Sequence, residues 1–573
     1  MRGSGHKPAA GGNDSAIFRS ATFHPAFFHS AIFHPAFLAV LISIAAFLHF
    51  FRAGEVLLYG DALAHMNIAR RVLDSRSPGL LQLGTVWLPL PHLLAMPLLL
   101  SDWAWRTGVG GSIPSMMAYV VAVAGIFRLV RFGLERVARN ASQARVAAWV
   151  AAGVFAANPN LIYLQSTAMT EALSLAALLW AAVYFGEFAD AMLAGRGEGC
   201  DGKRALLRSG WCLGALMLTR YDGWFAAAGF VVAAYLVYRK ANVRDRSESN
   251  VAPDMWRKTG LLHFVLIVAA VPVFWLAYNE LSYGNPLEFA NGEYSARAIE
   301  ERTRRPGDPH HPGWNDPVVA AQYFVKSAKL NLGEWTPAGG TFFPLAVAGS
   351  ALVLLLARRI SCWLLLWLPM VTYPSSVAWG GVPIFIPPWW PYSYYNVRYG
   401  IQLLPAIAVF TAALVYFSLE LIRVRSWRVA VPAAVLSLVA ACYASAWAIS
   451  PVSLREGRVN SSSKLILERA LAGQLRGLPQ GATFLMYVGQ HGGALQFAGI
   501  PLRRTLNEGD RKLWPHALKA PAEVADYVVA TAGDPVARAL GSKPKDLEKI
   551  AVIVAPGQEP LAIYRSRWKR GSN

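Results

Sequence analysis

Five ionisable side chains lie at the ends of apolar stretches of this sequence. Asp61 and Glu171 supply carboxylates, His65 supplies an imidazole, and Arg220 and Arg398 supply guanidinium groups. Ionisable groups beside hydrocarbon are costly, and those that occur there usually serve a site. We therefore treat these five residues as candidates for one functional site.

The two carboxylates both lie near predicted helix starts. Asp61 and His65 are four residues apart in the segment YGDALAH, so their side chains would share one helix face. Asp is also a preferred N-cap before an apolar-periodic segment, so a capping role for Asp61 stays open. Glu171 begins an apolar helix in STAMTEALSLAALLW. A carboxylate there either interacts with the helix dipole or serves a site.

The two arginines lie in polar breaks between apolar segments. Arg220 is followed closely by Asp222 in LMLTRYDGWF, and these side chains either pair with each other or hold a ligand. Arg398 and Tyr399 begin a later apolar helix in YYNVRYGIQLLP, where Arg398 either snorkels to the interface or serves the site. A planar guanidinium group is well suited to binding phosphate.

Together these groups suit the transfer of a sugar from a lipid phosphate to an acceptor hydroxyl. The departing phosphate is a weak base and needs positive charge, which arginine supplies. The acceptor hydroxyl needs a base that takes its proton, and Asp61 fits that role.

The composition is that of a membrane protein. The 573 residues are 55% hydrophobic and 15% charged, and the mean hydropathy is +0.34. A helix needs roughly 20 apolar residues to cross the hydrocarbon core. Charge-free runs of suitable length lie at 20–51, 107–127, 146–170, 259–279, 335–357, 361–397 and 429–454.

The net charge of +20 does not indicate nucleic-acid binding, because much of the Lys and Arg lies in short segments between apolar runs. Such segments usually face the cytoplasm. Successive basic segments leave room for two crossings between them, which predicts about eleven transmembrane helices. The segments predicted to be cytoplasmic are 128–145, 196–208, 239–258, 358–359 and 423–428.

Three regions are predicted along the chain. Residues 1–35 form a low-complexity leader, 36–450 form the transmembrane region with outer loops 52–111 and 280–339, and 451–573 form an outer C-terminal domain. An amphipathic helix pattern followed by the strand-like runs TFLMYVG, DYVVATA, IAVIVA and EPLAIYRSR predicts a small α/β fold for the last region. The predicted fold class is therefore a polytopic α-helical membrane protein with a small C-terminal α/β domain.

The order of these parts resembles the GT-C superfamily of polyprenyl-phosphate-sugar-dependent glycosyltransferases. Within it, the resemblance is to the bacterial relatives of protein O-mannosyltransferases and of the lipid A aminoarabinose transferase. It covers residues 35–450. The matching features are an acid in the first outer loop (Asp61), an acid opening the fourth helix (Glu171), a basic residue after the fifth (Arg220 in LTRYDGW), and an arginine–tyrosine pair followed by LLP (Arg398 and Tyr399).

The resemblance implies an inverting glycosyltransferase of the bacterial inner membrane. Its donor would be a hexose or pentose on polyprenyl phosphate, and its acceptor the hydroxyl of a lipid, glycan or protein. Its site and its C-terminal domain would lie on the periplasmic side of the bilayer. No nucleic-acid partner is expected.

Further residues are assigned from their place in this scheme. Trp87 and His92 lie in QLGTVWLPLPHLL, which corresponds to the proline-rich second half of the family's first loop and would shape the donor pocket. The alternative is that this segment is only a proline-containing helix at the membrane interface. Glu293 and Tyr294 in the long outer loop are candidate acceptor contacts. Asp61 and Glu171 are thus expected to be catalytic, and the expected substrate-binding residues are His65, Trp87, His92, Arg220, Asp222, Glu293, Tyr294, Arg398 and Tyr399.

Metal dependence stays open at the level of the sequence. Relatives often carry two adjacent acids in the first loop, whereas Asp61 is followed here by Ala62. The resemblance therefore allows a divalent cation, Mg or Mn, without requiring one, and no metal ligands are assigned.

Two other functions stay open. A transporter or flippase of lipid-linked sugars predicts internal repeats and broken helices near the membrane midplane, and the sequence contains no convincing repeat. An assembly protein that binds partners through its C-terminal domain predicts no catalytic effect of Asp61→Asn.

The loop charges predict the orientation of the chain in the membrane. Alkaline phosphatase is active only outside the cytoplasm, so a fusion at Gly541 should be active and a fusion at Asn140 should be inactive. Enzymatic activity of the two fusions in intact cells measures this directly. The reverse pattern would contradict the predicted orientation.

Overall fold

The structure is a computed structural model in which helices predominate. It describes residues 34–84, 86–137, 140–194, 200–246, 260–304, 307–333, 339–422, 424, 426–542 and 544–568. Most of the predicted leader 1–35 and part of the predicted outer loop 280–339 therefore lie outside the described residues.

The first part of the chain forms a helical bundle, and short helices also occur in the predicted outer loops. Short 3₁₀ segments occur at Leu80–Gln82, Leu98–Leu100, Gly339–Thr341, Arg358–Trp367 and Val397–Leu403. The α-helices of this part are α1 (Pro35–Arg52), α2 (Gly60–Arg71), α3 (Leu90–Ala95), α4 (Asp102–Thr107), α5 (Val109–Glu135), α6 (Ala141–Ala156), α7 (Pro159–Gln165), α8 (Glu171–Leu193), α9 (Cys200–Met217), α10 (Asp222–Arg246), α11 (Leu261–Tyr283), α12 (Glu288–Asn291), α13 (Ala296–Thr303), α14 (Pro317–Asn331), α15 (Phe342–Leu356), α16 (Pro369–Trp379), α17 (Leu404–Leu421) and α18 (Trp427–Ala448).

Seven helical segments among the described residues are long and apolar enough to cross a membrane. Large apolar side chains such as Leu41 on α1 and Val273 on α11 are exposed on the surface of the bundle, as expected for helices that face lipid. The chain is therefore an integral membrane protein. The seven segments are Pro35–Arg52, Val109–Glu135, Glu171–Leu193, Leu261–Tyr283, Arg358–Trp379, Val397–Leu421 and Trp427–Arg476.

The predicted number of about eleven crossings is not confirmed. The bent pair α6 and α7 would be an eighth candidate. Helices α9 and α10 belong to the same bundle but are not apolar enough to count as membrane-spanning helices. Helix α15 is apolar but has only 15 residues. The helical character of the fold is confirmed, whereas the exact count is not.

Buried asparagines fix the bend between α6 and α7, which is 64°. The side chain of Asn158 accepts hydrogen bonds from the backbone N–H groups of Asn160 and Leu161, and Pro159 begins α7, where its missing N–H costs nothing. Asn160 Oδ1 also accepts a hydrogen bond of 2.9 Å from the backbone of Ser453. The bend therefore positions the start of the much later helix Val452–Arg476.

The C-terminal region contains a mixed sheet with the strand order β2-β1-β3-β5-β4. The β2–β1 and β1–β3 pairs are parallel, and the β3–β5 and β5–β4 pairs are antiparallel. Its helices are α19 (Val452–Arg476), α20 (Val488–Ala498), α21 (Trp514–Lys519), α22 (Pro521–Val524) and α23 (Pro535–Leu540), with a 3₁₀ turn at Leu502–Arg504. Its strands are β1 (Phe484–Met486), β2 (Thr505–Leu506), β3 (Tyr527–Thr531), β4 (Leu547–Ile553) and β5 (Leu561–Ser566).

This domain is attached by polar contacts to the segment 52–111, the first predicted outer loop. Gln496 Nε2 donates to the carbonyl oxygen of Trp105 at 2.6 Å, and Arg503 pairs with the buried Asp74 at 2.9 Å. The domain is therefore packed onto the membrane bundle through the loop that carries Asp61.

The bundle core depends on close helix contacts at small residues. Gly349 on α15 packs against α17, and a Cβ atom at this position would lie 1.9 Å from the carbonyl oxygen of Phe410. Small residues allow such close approach between membrane helices.

Gly349→Ala should therefore destabilise the protein, by roughly 1–3 kcal/mol as for other overpacked positions. The matched control is Gly473→Ala on α19, where nothing lies within 4 Å of the added Cβ. Melting temperatures in one detergent compare the two variants. An equal melting temperature for Gly349→Ala and the wild type would contradict this packing.

Candidate active site

Arg398 is the centre of a buried set of charges. It lies in the 3₁₀ segment that leads into α17, and its side chain is 7% exposed. Its Nε donates to Glu171 at 3.2 Å, its Nη1 donates to Glu456 at 3.1 Å, and its Nη2 donates to Asp61. Its backbone N–H also donates to Glu456 at 3.2 Å. One guanidinium group thus connects three carboxylates.

Asp61 lies in the first turn of α2 but does not cap that helix. The N-cap residue is Tyr59, and it makes no side-chain capping hydrogen bond. The Asp61 side chain is 37% exposed, compared with 1% for Glu171 and Glu456. Of the three carboxylates on Arg398, Asp61 is therefore the one accessible from outside.

Glu171 connects Arg398 to the second arginine. It is the first residue of α8, and its Oε1 lies 3.6 Å from Arg220 Nη1. Arg220 also pairs with Asp222 at 3.0 Å, as the sequence allows, and donates to the Thr170 hydroxyl. The second carboxylate oxygen of Glu171, Oε2, is buried without a hydrogen-bond partner.

The ring of Tyr399 lies between the two guanidinium groups. Its centroid is 4.8 Å from the Arg220 Cζ and 5.2 Å from the Arg398 Cζ. An aromatic face attracts cations, so the ring helps both arginines to remain close together. The network contains four carboxylates and two guanidinium groups, a formal charge of −2, from Asp61, Glu171, Asp222, Glu456, Arg220 and Arg398.

The histidines of the first loop form a separate pair. His65 Nδ1 and His92 Nε2 lie 2.9 Å apart, and the Trp87 ring meets His65 edge to face at 5.3 Å. Burial lowers the pKa of His65 to about 4 and holds the pKa of His92 well below its usual value. Both imidazoles are therefore neutral at pH 7, so they can offer a ligand hydrogen bonds but no charge.

Glu293 and Tyr294 lie against the C-terminal domain. The hydroxyl groups of Tyr294 and Tyr487 are 2.8 Å apart, and the Tyr487 hydroxyl donates to Glu293 at 3.4 Å. Arg302 lies 3.8 Å from Glu293. The structure therefore joins these two residues to Tyr487 and not to the Arg398 network.

Sequence reasoning missed Glu456. It lies one turn into α19, just after the last apolar run, in the segment SLREGRV. A lone acid at the end of an apolar run is the same signal that indicated Asp61 and Glu171. It was overlooked because the charged residues around it were assigned to the soluble domain.

Among the described residues, no group of three or more His, Cys, Asp or Glu side chains is placed to hold a metal ion. The guanidinium group of Arg398 contacts both Asp61 and Glu171.

A cavity of about 220 Å³ lies beside the network. Asp61, Arg398 and Glu456 line it together with Tyr59 and Tyr395. The most exposed carboxylate of the network is therefore presented to a space that can admit a ligand.

Comparisons with known proteins agree with this fold. No protein-family model and no curated protein sequence matches the chain. The crystal structure of ArnT from Cupriavidus metallidurans in the apo state is similar, with a TM-score of 0.53 at 13% identity over 91% of this chain and 97% of that chain. The same protein bound to undecaprenyl phosphate gives a TM-score of 0.54 at 14% identity over the same shares.

A weaker likeness is found to the archaeal oligosaccharyltransferase AglB from Archaeoglobus fulgidus, in complex with an inhibitory peptide and a dolichol-phosphate. Its TM-score is 0.42 at 13% identity, over 89% of this chain and 70% of that chain. At such low identity the likeness to ArnT shows the fold alone, and the chain shares the fold of ArnT.

Proposed function

We propose that this protein is a glycosyltransferase that moves a sugar from polyprenyl phosphate to an acceptor hydroxyl. The observation that carries the proposal is the exposed Asp61 carboxylate, which Arg398 holds in the wall of a cavity. The fold is shared with ArnT, which has been solved with undecaprenyl phosphate bound, and this supports a lipid phosphate as the carrier.

In the proposed reaction, the acceptor oxygen attacks the anomeric carbon of the donor sugar. A new carbon–oxygen bond forms while the bond to the phosphate oxygen breaks, and polyprenyl phosphate leaves with the electron pair. The acceptor proton passes to Asp61. The Arg398 contact uses Asp61 Oδ2, so Oδ1 is the oxygen that we assign to the proton. A single displacement of this kind inverts the anomeric configuration.

Arg398 and Arg220 are the groups that we assign to the donor phosphate. A guanidinium group has five N–H donors, and three donors of the Arg398 side chain are directed at Glu171, Glu456 and Asp61. Donors therefore remain for a phosphate oxygen. Trp87 and His92, which lie together with His65, are assigned to the wall of the donor pocket.

In the proposed reaction, Glu171 and Glu456 have a different role from that of Asp61. Both are almost completely buried, and both bind Arg398. We assign them to positioning the guanidinium group, because groups held rigidly before the reaction stabilise developing charge at little cost. Glu293 and Tyr294 remain proposed acceptor contacts at the boundary between the long loop and the C-terminal domain.

We propose that Arg398 makes a divalent cation unnecessary for holding Asp61 and Glu171. It supplies positive charge between these carboxylates, and no step of the proposed reaction passes through a metal ion. We further propose that the protein lies in a bacterial inner membrane with this site on the periplasmic side, as the loop charges predict. The likeness of the fold to ArnT gives no support to the transporter alternative.

Asp61→Asn should lower turnover about 10²–10⁴-fold, which is the usual contribution of a positioned general base. Asn keeps the shape and one acceptor oxygen, so donor binding should change little. The measurement is transfer by purified protein at saturating polyprenyl-phosphate sugar, in the presence and absence of EDTA.

The matched control is Asp201→Asn. Asp201 also lies in the first turn of a helix, α9, but its side chain is fully exposed, so turnover should be unchanged. Near-normal turnover of Asp61→Asn would exclude Asp61 as the base. Loss of wild-type activity in EDTA would instead assign Asp61 to metal binding.

A further inference from the structure

Helix α19 of the C-terminal region forms part of the cavity wall. Asn460, Ser461, Lys464 and Glu468 line the cavity together with Asp61. The spacing of the four residues on α19 places them along one face of that helix. The domain outside the membrane therefore contributes a continuous polar surface to the space in front of Asp61.

Glu468 is the most unusual group on this surface. The residue is 1% exposed, and its Oε2 has no hydrogen-bond partner. Gly493 on α20 leaves room for the carboxyl group, since a Cβ there would lie 2.2 Å from Oε2. A buried polar atom without a partner is costly and needs an explanation. A ligand group that binds Oε2 from the cavity would supply the missing hydrogen bond.

The charges around the cavity favour a neutral, polar ligand. Three carboxylates, those of Asp61, Glu456 and Glu468, line it together with the cations Arg398 and Lys464. Arg398 is already bound to three carboxylates. A second phosphate group in this cavity, beyond the donor phosphate that we assign to Arg398 and Arg220, would therefore compete with these carboxylates for Arg398. Hydroxyl groups suit the cavity better, because each one both donates and accepts hydrogen bonds.

The cavity also limits the size and the polarity of the ligand. Its volume of about 220 Å³ lies below the range of about 300–1,000 Å³ that is usual for drug-sized ligands, and it suits a single ring. An acyl chain would leave the polar atoms of α19 buried without partners, which is unfavourable.

We propose that this cavity is the acceptor subsite and that the acceptor is a carbohydrate. One sugar residue of the acceptor binds Lys464 and Glu468 through its hydroxyl groups and presents another hydroxyl to Asp61. This inference rests on the proposed function, and it selects the glycan from the acceptors that the sequence leaves open.

The variants that test it are Glu468→Gln and Lys464→Ala in the full-length protein in lipid nanodiscs. The probes are the p-nitrophenyl glycosides of mannose, glucose, galactose and arabinose, and their binding is measured by saturation-transfer NMR. At least one glycoside should bind the wild type, and each variant should weaken that binding about tenfold, as expected for a lost hydrogen bond to a charged group. Arg469→Ala is the matched control, because Arg469 is an exposed cation on the same helix, and it should bind like the wild type.

A transfer assay with the same glycosides, a Ser/Thr peptide and lipid A as acceptors separates the two proposals. Transfer to a glycoside, with a raised KM for the glycoside and an unchanged KM for the donor in Glu468→Gln, supports the subsite. Transfer to the peptide or lipid A alone, or unchanged glycoside binding in both variants, overturns the carbohydrate assignment and leaves the glycosyltransferase proposal intact. Absence of transfer from any polyprenyl-phosphate sugar by the wild type overturns both. Melting temperatures equal to that of Arg469→Ala show that the variants are folded.

Discussion

The buried guanidinium group of Arg398 is the interaction on which the site depends. Its three carboxylate partners come from α2, α8 and α19, so elements far apart in the chain must meet around one positive charge. Burying a charge costs several kcal/mol unless it is paired, and removing one partner of a buried pair typically costs about 3–5 kcal/mol. The first predicted outer loop, the membrane bundle and helix α19 can therefore reach this arrangement only together.

This constraint also makes the C-terminal region part of the site. Helix α19 supplies Glu456 to Arg398 and lines the cavity that Asp61 faces. Its start is held by Asn160, the buried residue in the bend between α6 and α7, through a hydrogen bond to Ser453. The bend in the bundle therefore fixes the helix that closes the site. A domain that would be taken from its sequence for an appended soluble module is here a structural component of the proposed active site.

Local sequence patterns predicted the helical membrane fold and the strands β1, β3, β4 and β5. They also indicated the charged residues at helix ends, because a charge beside hydrocarbon stands out. They did not predict the two-residue strand β2, which is too short for a periodic signal. Nor did they predict Glu456 as the partner of Arg398, or the contact of Glu293 and Tyr294 with Tyr487. Such pairings join residues far apart in the chain and depend on three-dimensional packing, which no local pattern records.

The most direct test of the central role of Arg398 is a double-mutant cycle on stability with Arg398→Gln and Glu456→Gln. The control cycle uses Arg458→Gln and Glu55→Gln. This pair joins the same helix α19 to the segment after α1, and Arg458 is 48% exposed, so the coupling should be at most about 1 kcal/mol. Each single variant at the buried pair should be strongly destabilised, since it leaves an uncompensated charge. The double variant should lose clearly less free energy of unfolding than the two single variants lose together. The difference, which is the coupling energy, should be roughly 0.5–3 kcal/mol. If the losses of the two single variants at the buried pair add up to the loss of the double variant, as expected at the exposed pair, the central role of Arg398 is contradicted.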